Sequence, residues 1–265
     1  MAKIDGQSVT YAIITDIHSN SFALEKAMEY IHAEPGIHKI ICLGDCFSLG
    51  SSPVEVLHQL QAMDNIIFIR GNHDRYIVED IWELDRPTIE GMDPDDPVCV
   101  DIIANEKWTA EELGEAGRKF ISKMRMSYFE LVHGTYVEFT HAWFGRDELP
   151  PTIEEAKKWR NHAAMKHPDA KRFVFMHGHT HIPRQEKFGN LHVLCPGSTG
   201  LPFDEDNRGV VAFLRIKPSG IEWDVRRFDY DVDGAIEHMN QARPPFYKNL
   251  LATIKYASIR NDLVE

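Results

Sequence analysis

Over the first seventy residues, short apolar runs alternate with segments of helical spacing. Val9–Ile14 is a β-rich apolar run, and the apolar residues Leu24, Ala27, Met28 and Ile31 that follow repeat as on one face of a helix. Residues 39–43 and 65–70 have the same β-rich character as the first run, and residues 53–63 begin with proline and read as a helix. This succession of strand, helix and strand predicts a parallel sheet with right-handed crossovers.

After residue 127 the pattern is again typical of β structure. Two short β-rich segments, 128–132 and 137–140, are separated by His133 and Gly134 and predict a hairpin. A helix is predicted at 153–166, and further strands at 173–176, 191–194, 209–216 and 221–227. We therefore predict an α/β fold in which two mixed sheets form a sandwich flanked by helices, the first sheet richer in parallel pairs and the second more antiparallel.

Two segments fall outside these sheets. Residues 79–124 are acidic and predict an insertion with helices at 98–106 and 109–124. Residues 232–265 predict a helical C-terminal extension, in which apolar positions within 247–259 share one helical face. We expect that face to pack on the core of a single domain, residues 1–265, and a partner-binding helix is the alternative.

The length and charge of the chain narrow the class of protein. A chain of 265 residues suits one large α/β domain, and its net charge of −12 disfavours binding of long nucleic acid. Between Glu79 and Glu115 thirteen acidic and two basic residues carry −11 of that charge, so the body is almost neutral. The insertion is either a cap that keeps polyanions from a nearby cleft or an acidic solubilising excursion.

The cysteines and the apolar runs indicate the cellular setting. The four cysteines form neither a CxxC pair nor a spacing typical of small secreted domains, so reduced thiols are expected. No apolar run approaches the roughly 18 residues of a membrane span, and the N-terminus does not resemble a signal peptide. We predict a cytoplasmic protein without a membrane partner, and the sequence is compatible with a homo-oligomer.

Five short polar motifs occur at or just after the predicted carboxyl ends of strands. Alone, each motif is explained by a turn or a helix cap. Together they favour a functional site, because loops that leave the carboxyl ends of strands share one edge of a sheet. The motifs are Asp16-Ile17-His18, Gly44-Asp45, Gly71-Asn72-His73-Asp74, Thr140-His141 and Gly178-His179-Thr180-His181.

The residue types in these motifs favour metal binding. Asp and Asn oxygens combined with imidazoles suit first-row cations such as Mn, Fe, Zn, Co or Ni, and the lack of thiolates argues against structural zinc. Seven candidate ligands are too many for one tetrahedral ion, whereas two divalent ions that share a carboxylate would use them all. The candidates are Asp16, His18, Asp45, Asn72, His141, His179 and His181.

These motifs resemble those of the calcineurin-like metallophosphoesterase superfamily, specifically its compact prokaryotic phosphodiesterase branch, over residues 9–74 and 128–227. The resemblance implies a metallophosphoesterase-type β-sandwich that hydrolyses phosphate esters with a hydroxide bridging two metal ions. It assigns Asp16, His18 and His181 to one ion, Asn72, His141 and His179 to the other, and Asp45 to both. It further implies that His73 is the proton donor to the leaving group and that Asp74 orients it.

One departure from the family pattern bears on the substrate. Ser48 and Leu49 stand where protein phosphatases and related dinucleotide polyphosphatases have an Asp-Arg pair that helps to bind phosphate. A small phosphomonoester or phosphodiester is therefore the preferred substrate. The alternatives are a dinucleotide polyphosphatase or protein phosphatase-like activity, and a non-catalytic interaction protein on the same fold.

Overall fold

A computed structural model describes residues 8–261. Residues 1–7 and 262–265, which complete the predicted domain and the C-terminal extension, lie outside the described residues. The strands are β1 (Val9–Ile14), β2 (Ile37–Cys42), β3 (Ile66–Phe68), β4 (Ser127–Val132), β5 (Thr135–Thr140), β6 (Arg172–Met176), β7 (Arg184–Phe188), β8 (Leu191–Cys195), β9 (Gly209–Lys217) and β10 (Gly220–Phe228). The helices are α1 (Ser21–Ala33), α2 (Pro53–Gln61), α3 (Asn72–Val78), α4 (Pro97–Ile121), α5 (Ile153–Lys166), α6 (Val232–Ala242) and α7 (Tyr247–Tyr256).

The strands form two five-stranded mixed sheets, which confirms the predicted α/β architecture. The first sheet has the order β10-β9-β1-β2-β3 and the second has the order β4-β5-β6-β8-β7. Each contains two parallel and two antiparallel pairs, so the expectation that the first is richer in parallel pairs is wrong. The reason is that β9 and β10 return to the first sheet and extend it beyond β1 with antiparallel pairs.

Apolar side chains are buried on both faces of the first sheet. In β1 the side chains of Tyr11 and Ile13 face the second sheet, while Ala12 and Ile14 pack in the layer that contains α1 and α2. Because both faces of β1 are covered, all six of its residues are buried and the strand reads as a continuous apolar run. Strand β7 was not predicted because its sequence, Arg-Gln-Glu-Lys-Phe, is that of a polar strand at the edge of a sheet.

The acidic insertion packs against the body through one face of α4. The two helices predicted at 98–106 and 109–124 form one segment, and its break lies at Gly114, which has φ 55° and ψ −158°. Its buried stripe includes Cys99, Ile103, Glu106 and Ala110, at the spacing of one helical face. Glu106 therefore occupies a position at which the helical pattern predicts an apolar side chain.

The C-terminal helices cover the end of the molecule at which the motif loops lie. Leu250 and Ile254 of α7 are buried in a cluster with Leu49 and Leu201, which belong to loops beyond β2 and β8. This packing confirms the expectation that the apolar face of the C-terminal helix docks on the core. Among residues 8–261, no helix is both long enough and apolar enough to cross a membrane.

Candidate metal centre

The five motifs meet at one edge shared by the two sheets. The loop after β1 is held against the loop after β2, where Asp16 N donates to Gly44 O at 2.9 Å. The loop after β6 is held against the end of β5, where Gly178 N donates to His141 O at 2.8 Å. Backbone hydrogen bonds thus bring together motifs that are far apart in the sequence.

Five of the seven predicted ligands have a left-handed backbone. A positive φ is uncommon for residues other than glycine and costs about 1–3 kcal/mol at each position. Its concentration here shows that the fold holds these side chains in orientations that an extended strand exit would not provide. The residues, with their φ values, are Asp16 (51°), His18 (48°), Asp45 (51°), His179 (67°) and His181 (57°).

Two glycines make room for the carboxylate of Asp45. Gly44 has a φ of 105°, and a Cβ atom there would lie 2.5 Å from Gly71 N. A Cβ atom on Gly71 would overlap Asp45 Oδ1. The Gly-Asp and Gly-Asn-His-Asp motifs therefore need glycine because their backbones and the Asp45 side chain are in direct contact.

The predicted ligands form two groups that share Asp45. One set of ligand atoms, from Asp16, His18, Asp45 and His181, lies within 4.8 Å of one another, and a second set comes from Asp45, His141 and His179. Asn72 joins the second group, because its Oδ1 is 2.9 Å from His141 Nε2 and 3.1 Å from His179 Nδ1. The structure brings all seven predicted ligands together.

Backbone carbonyls fix the orientation of three of the imidazoles. A carbonyl oxygen can only accept, so the ring nitrogen that faces it carries a hydrogen and the other nitrogen is turned toward the cluster. Metal-binding histidines commonly have such partners. The pairs are His141 Nδ1 with Leu43 O at 2.9 Å, His179 Nε2 with Glu148 O at 2.9 Å, and His181 Nδ1 with Leu201 O at 2.5 Å.

The charges of the centre are suited to cations. Asp45 Oδ2 is buried, makes no hydrogen bond of good geometry and has His141 Nε2 at 3.2 Å, and a buried carboxylate oxygen of this kind is stable only beside a positive charge. Burial lowers the pKa of His179 to about 4 and that of His181 to about 3, so both rings are neutral at pH 7, as metal ligands must be. The donor set therefore fits divalent ions.

Two further ionisable groups have raised pKa values, to which the negative charge of the centre contributes. Burial raises the pKa of Asp16 to about 7, and the neighbouring Asp45 adds to this rise. Burial alone would lower the pKa of His141, but the carboxylates of Asp45 and Asp16 outweigh it and raise the pKa to about 10. In the absence of metal, protons on these two groups offset part of the buried negative charge.

The predicted proton donor His73 lies at the edge of the same cluster. Its Nδ1 is 2.5 Å from Glu106 Oε1, and its Nε2 is 3.8 Å from Glu90 Oε1. Burial alone would lower the pKa of His73, but the carboxylates of Glu106 and Asp45 outweigh it and raise the pKa to about 10. His73 is thus a cationic imidazole held by a buried glutamate of the insertion.

Asp74 does not occupy the position that the sequence predicted. It was expected to orient His73, but its Oδ2 accepts from the backbone N–H groups of Asp45 at 2.9 Å and Gly71 at 3.0 Å, and its Oδ1 from that of Cys46 at 3.1 Å. The segment at 72–78 is helix α3, not an extended strand exit, and Asp74 lies in its first turn. Asp74 therefore joins two motif loops, and Glu106 contacts His73 instead.

Two carboxylates near the centre, Glu106 and Glu90, were not predicted from the sequence. Glu106 is fully buried and also accepts from Ser48 Oγ at 2.5 Å, and the signal that could have revealed it is its place in the apolar stripe of α4. Glu90 accepts from Asn72 Nδ2 at 3.2 Å, which turns Asn72 Oδ1 toward His141 and His179. No periodic pattern marks Glu90, because it lies in an irregular segment.

Two mixed sheets whose shared edge carries a cluster of Asp, Asn and His side chains define an α/β protein with a candidate metal-binding site. The chain belongs to the calcineurin-like phosphoesterase superfamily, since residues 9–218 match the domain described by that name. An uncharacterised protein of Methanocaldococcus jannaschii is 26% identical, over 88% of this chain and 93% of its own length.

Solved structures support the same fold. A hypothetical protein from Pyrococcus horikoshii OT3 superposes with a TM-score of 0.71 at 19% identity, over 93% of this chain and 97% of its own. A metallophosphoesterase from Sphaerobacter thermophilus superposes with a TM-score of 0.67 at 20% identity, over 95% of this chain and 100% of its own. At these identities the similarity defines the fold and leaves the substrate unspecified.

Proposed function

We propose that the protein hydrolyses small phosphate esters at a centre of two divalent metal ions. The observation that carries the proposal is the position of Asp45, whose carboxylate is common to both groups of ligands. Its Oδ2 is buried between the two groups, 3.2 Å from His141 Nε2 and 3.8 Å from His18 Nε2. A carboxylate shared in this way is what two neighbouring cations require.

The seven residues have distinct roles in this proposal. Asp16, His18 and His181 hold one ion, Asn72, His141 and His179 hold the other, and Asp45 binds both. When bound, such a pair of cations lowers the pKa of a water molecule, so that it can lose a proton and attack phosphorus near neutral pH. The cations also neutralise charge on the phosphoryl oxygens. The mixed oxygen and nitrogen ligands suit Mn, Fe, Co, Ni or Zn.

His73 is the proposed proton donor. As the bond between phosphorus and the ester oxygen breaks, His73 Nε2 gives its proton to the departing alcohol. Glu106 accepts a hydrogen bond from Nδ1, which fixes the ring and favours its protonated form. Asp74 keeps the Asp45 loop and the start of α3 in register through their backbone N–H groups.

The proposal is tested by phosphate release from aryl mono- and diesters in the presence of Mn, Co, Ni or Zn. We expect hydrolysis by the wild-type protein and a loss of at least about 10³-fold in Asp45→Asn, because the shared charge is removed. Asp169→Asn, which alters an exposed carboxylate, is the matched control and should retain full activity.

The same experiment separates the alternative class. Undiminished hydrolysis in Asp45→Asn would overturn the proposed centre. No hydrolysis by the wild-type protein with any of the four metals, together with no bound metal by elemental analysis, would instead favour a non-catalytic interaction protein on this fold. Comparison of the mono- and diesters identifies which ester class the centre prefers.

A further inference from the structure

A cavity of about 260 Å³ opens directly on the candidate metal centre. Its polar end is formed by Asp45, His179 and His181 of the ligand set and by the proposed proton donor His73. A phosphate ester bound to the centre would thus have its alcohol portion in this cavity, on the side from which His73 reaches the ester oxygen.

The remaining walls of the cavity are mostly apolar. They come from the insertion, from the loops after β2, β6 and β8, and from the C-terminal helix with the residues on either side of it. Transfer of an apolar group from water to such walls is favourable in proportion to the area covered. The side chains that define this character are Ile89, Met92, Ile102, Phe203, Leu250 and Ile259.

The cavity is poorly suited to a second phosphate group. Within residues 8–261, neither lysine nor arginine lines it. The carboxylate of Glu90 lies at its edge, 3.8 Å from His73 Nε2. Its volume is below the roughly 300–1,000 Å³ typical of sites for drug-sized ligands. A second phosphate group of a dinucleotide or a polyphosphate chain would face the carboxylate of Glu90 instead of a cation. The cavity also has too little volume for it.

A larger neighbouring cavity has little contact with the candidate metal centre. It measures about 450 Å³, and of the seven predicted ligands only His141 touches it. Three arginines line it. Arg70 contacts Met126 Sδ at 3.2 Å, and the other two are paired with carboxylates, Arg75 with Asp147 at 2.7 Å and Arg146 with Glu155. The charges of these two are therefore largely neutralised by this chain's own carboxylates.

We propose that the substrate is a small phosphate ester of an apolar alcohol, with one aromatic ring or a short branched alkyl group. The inference rests on the proposed function, since it names the substrate class of the same centre. It excludes nucleotides, sugar phosphates and polyphosphates as preferred substrates. Selectivity arises because the insertion and the C-terminal helix, two elements outside the sandwich, enclose the alcohol portion in apolar walls.

The test measures binding, which does not depend on turnover. Manganese-loaded protein is titrated by calorimetry with 3-methylbutylphosphonate and with 3,4-dihydroxybutylphosphonate, two non-hydrolysable analogues of similar length. We expect the apolar analogue to bind about tenfold more tightly, because its alkyl chain leaves water for apolar walls. Equal affinities, or tighter binding of the dihydroxy compound, would overturn the inference.

Single substitutions test whether the cavity causes the preference for the apolar analogue. Met92 is half-buried, and Met92→Gln should lower the affinity for 3-methylbutylphosphonate about three- to fivefold without affecting the dihydroxy analogue. Met165→Gln makes the same change at an exposed position of α5 and should leave both affinities unchanged. If Met92→Gln has no effect on the preference, the alcohol portion does not occupy this cavity.

Measurement of hydrolysis of the corresponding phosphate esters distinguishes failure of the proposed function from failure of the substrate inference. Selective binding without hydrolysis by any metal form would support the apolar site and overturn the proposed function. Hydrolysis of both esters without selective binding would support the proposed function and overturn the inference. Both alcohols are primary alkyl alcohols, so their leaving-group reactivity is similar and does not bias the comparison.

Discussion

The strand-end cluster and the acidic insertion are both rich in carboxylates but use them differently. In the cluster, Asp16, Asp45 and Asp74 are at most 1% exposed and face imidazoles or backbone N–H groups. In the insertion most of the acidic side chains are solvated, and Glu106 alone of its acidic residues is fully buried. Local net charge therefore says little about chemistry, and the position of a single carboxylate on a helix face says more.

The contrast extends to how the two regions position their side chains. The cluster is held by backbone geometry, through positive φ values and glycines that admit the neighbouring loop. Glu106 is held by the packing of α4, whose stripe also buries Cys99, Ile103 and Ala110. The insertion thus contributes to the centre through one buried side chain and through Glu90 at the edge, and its role as a cap remains a proposal.

Among the tests of this contrast, removal of the close contact between Glu106 of the insertion and His73 should have the strongest effect. Glu106→Gln should lower kcat about 10- to 100-fold for alkyl esters, because the ring loses the charge that orients it and favours its protonated form. The decrease should be much smaller for 4-nitrophenyl esters, whose leaving group needs no proton. Phosphate release from both ester types measures the effect.

The matched control for this variant is Glu112→Gln, which alters an exposed glutamate of the same helix. It should leave kcat unchanged for both esters. If Glu106→Gln and Glu112→Gln behave alike, or if Glu106→Gln slows both ester types equally, Glu106 does not act through His73. The insertion would then make no contribution to catalysis through His73.

The next effect concerns the backbone of the cluster. Gly71→Ala places a Cβ atom against Asp45 Oδ1, so the carboxylate shared by the two ligand groups must move. We expect manganese to bind about tenfold more weakly, as measured by titration of the metal-free protein. Gly220→Ala adds a Cβ atom in open space and serves as the control. Unchanged metal affinity in Gly71→Ala would show that close packing at this glycine is not needed.

The smallest effect is a change of stability with pH in the metal-free protein. The pKa values of His73 and His141 are raised to about 10, so in the folded state both rings are protonated at pH 7 while in the unfolded state they are mostly neutral. Their stabilisation is present below the unfolded pKa of about 6.5 and is lost as the pH rises toward 10.

The expected measurement is a melting temperature that falls by several degrees between pH 7 and pH 9 in the presence of chelator. With bound manganese the decline should be smaller, because the metal supplies the positive charge in place of the protons. A metal-free protein whose melting temperature is constant over this range would show that these protons do not balance the buried carboxylates.

Much of the fold, and the seven side chains that the structure brings together at the candidate centre, could be predicted from the sequence. Residues such as Asp16 and Asn72 follow apolar runs that only strands explain, and the ends of parallel strands share an edge. The contact between His73 and Glu106 could not be predicted, because it joins a strand-end motif to a helix thirty residues later through tertiary packing. The expected role of Asp74 failed because its segment begins a helix, which turns the side chain away from His73.

In the proposed function, two metal ions bound by residues that share Asp45 support the hydrolysis of phosphate esters. The most direct test of this proposal is a titration of the metal-free protein with manganese, in which phosphate release is followed at each ratio of metal to protein. We predict that activity rises with added metal and reaches its plateau at two ions per chain. A plateau at one ion per chain, or no activity at any ratio, would contradict the account.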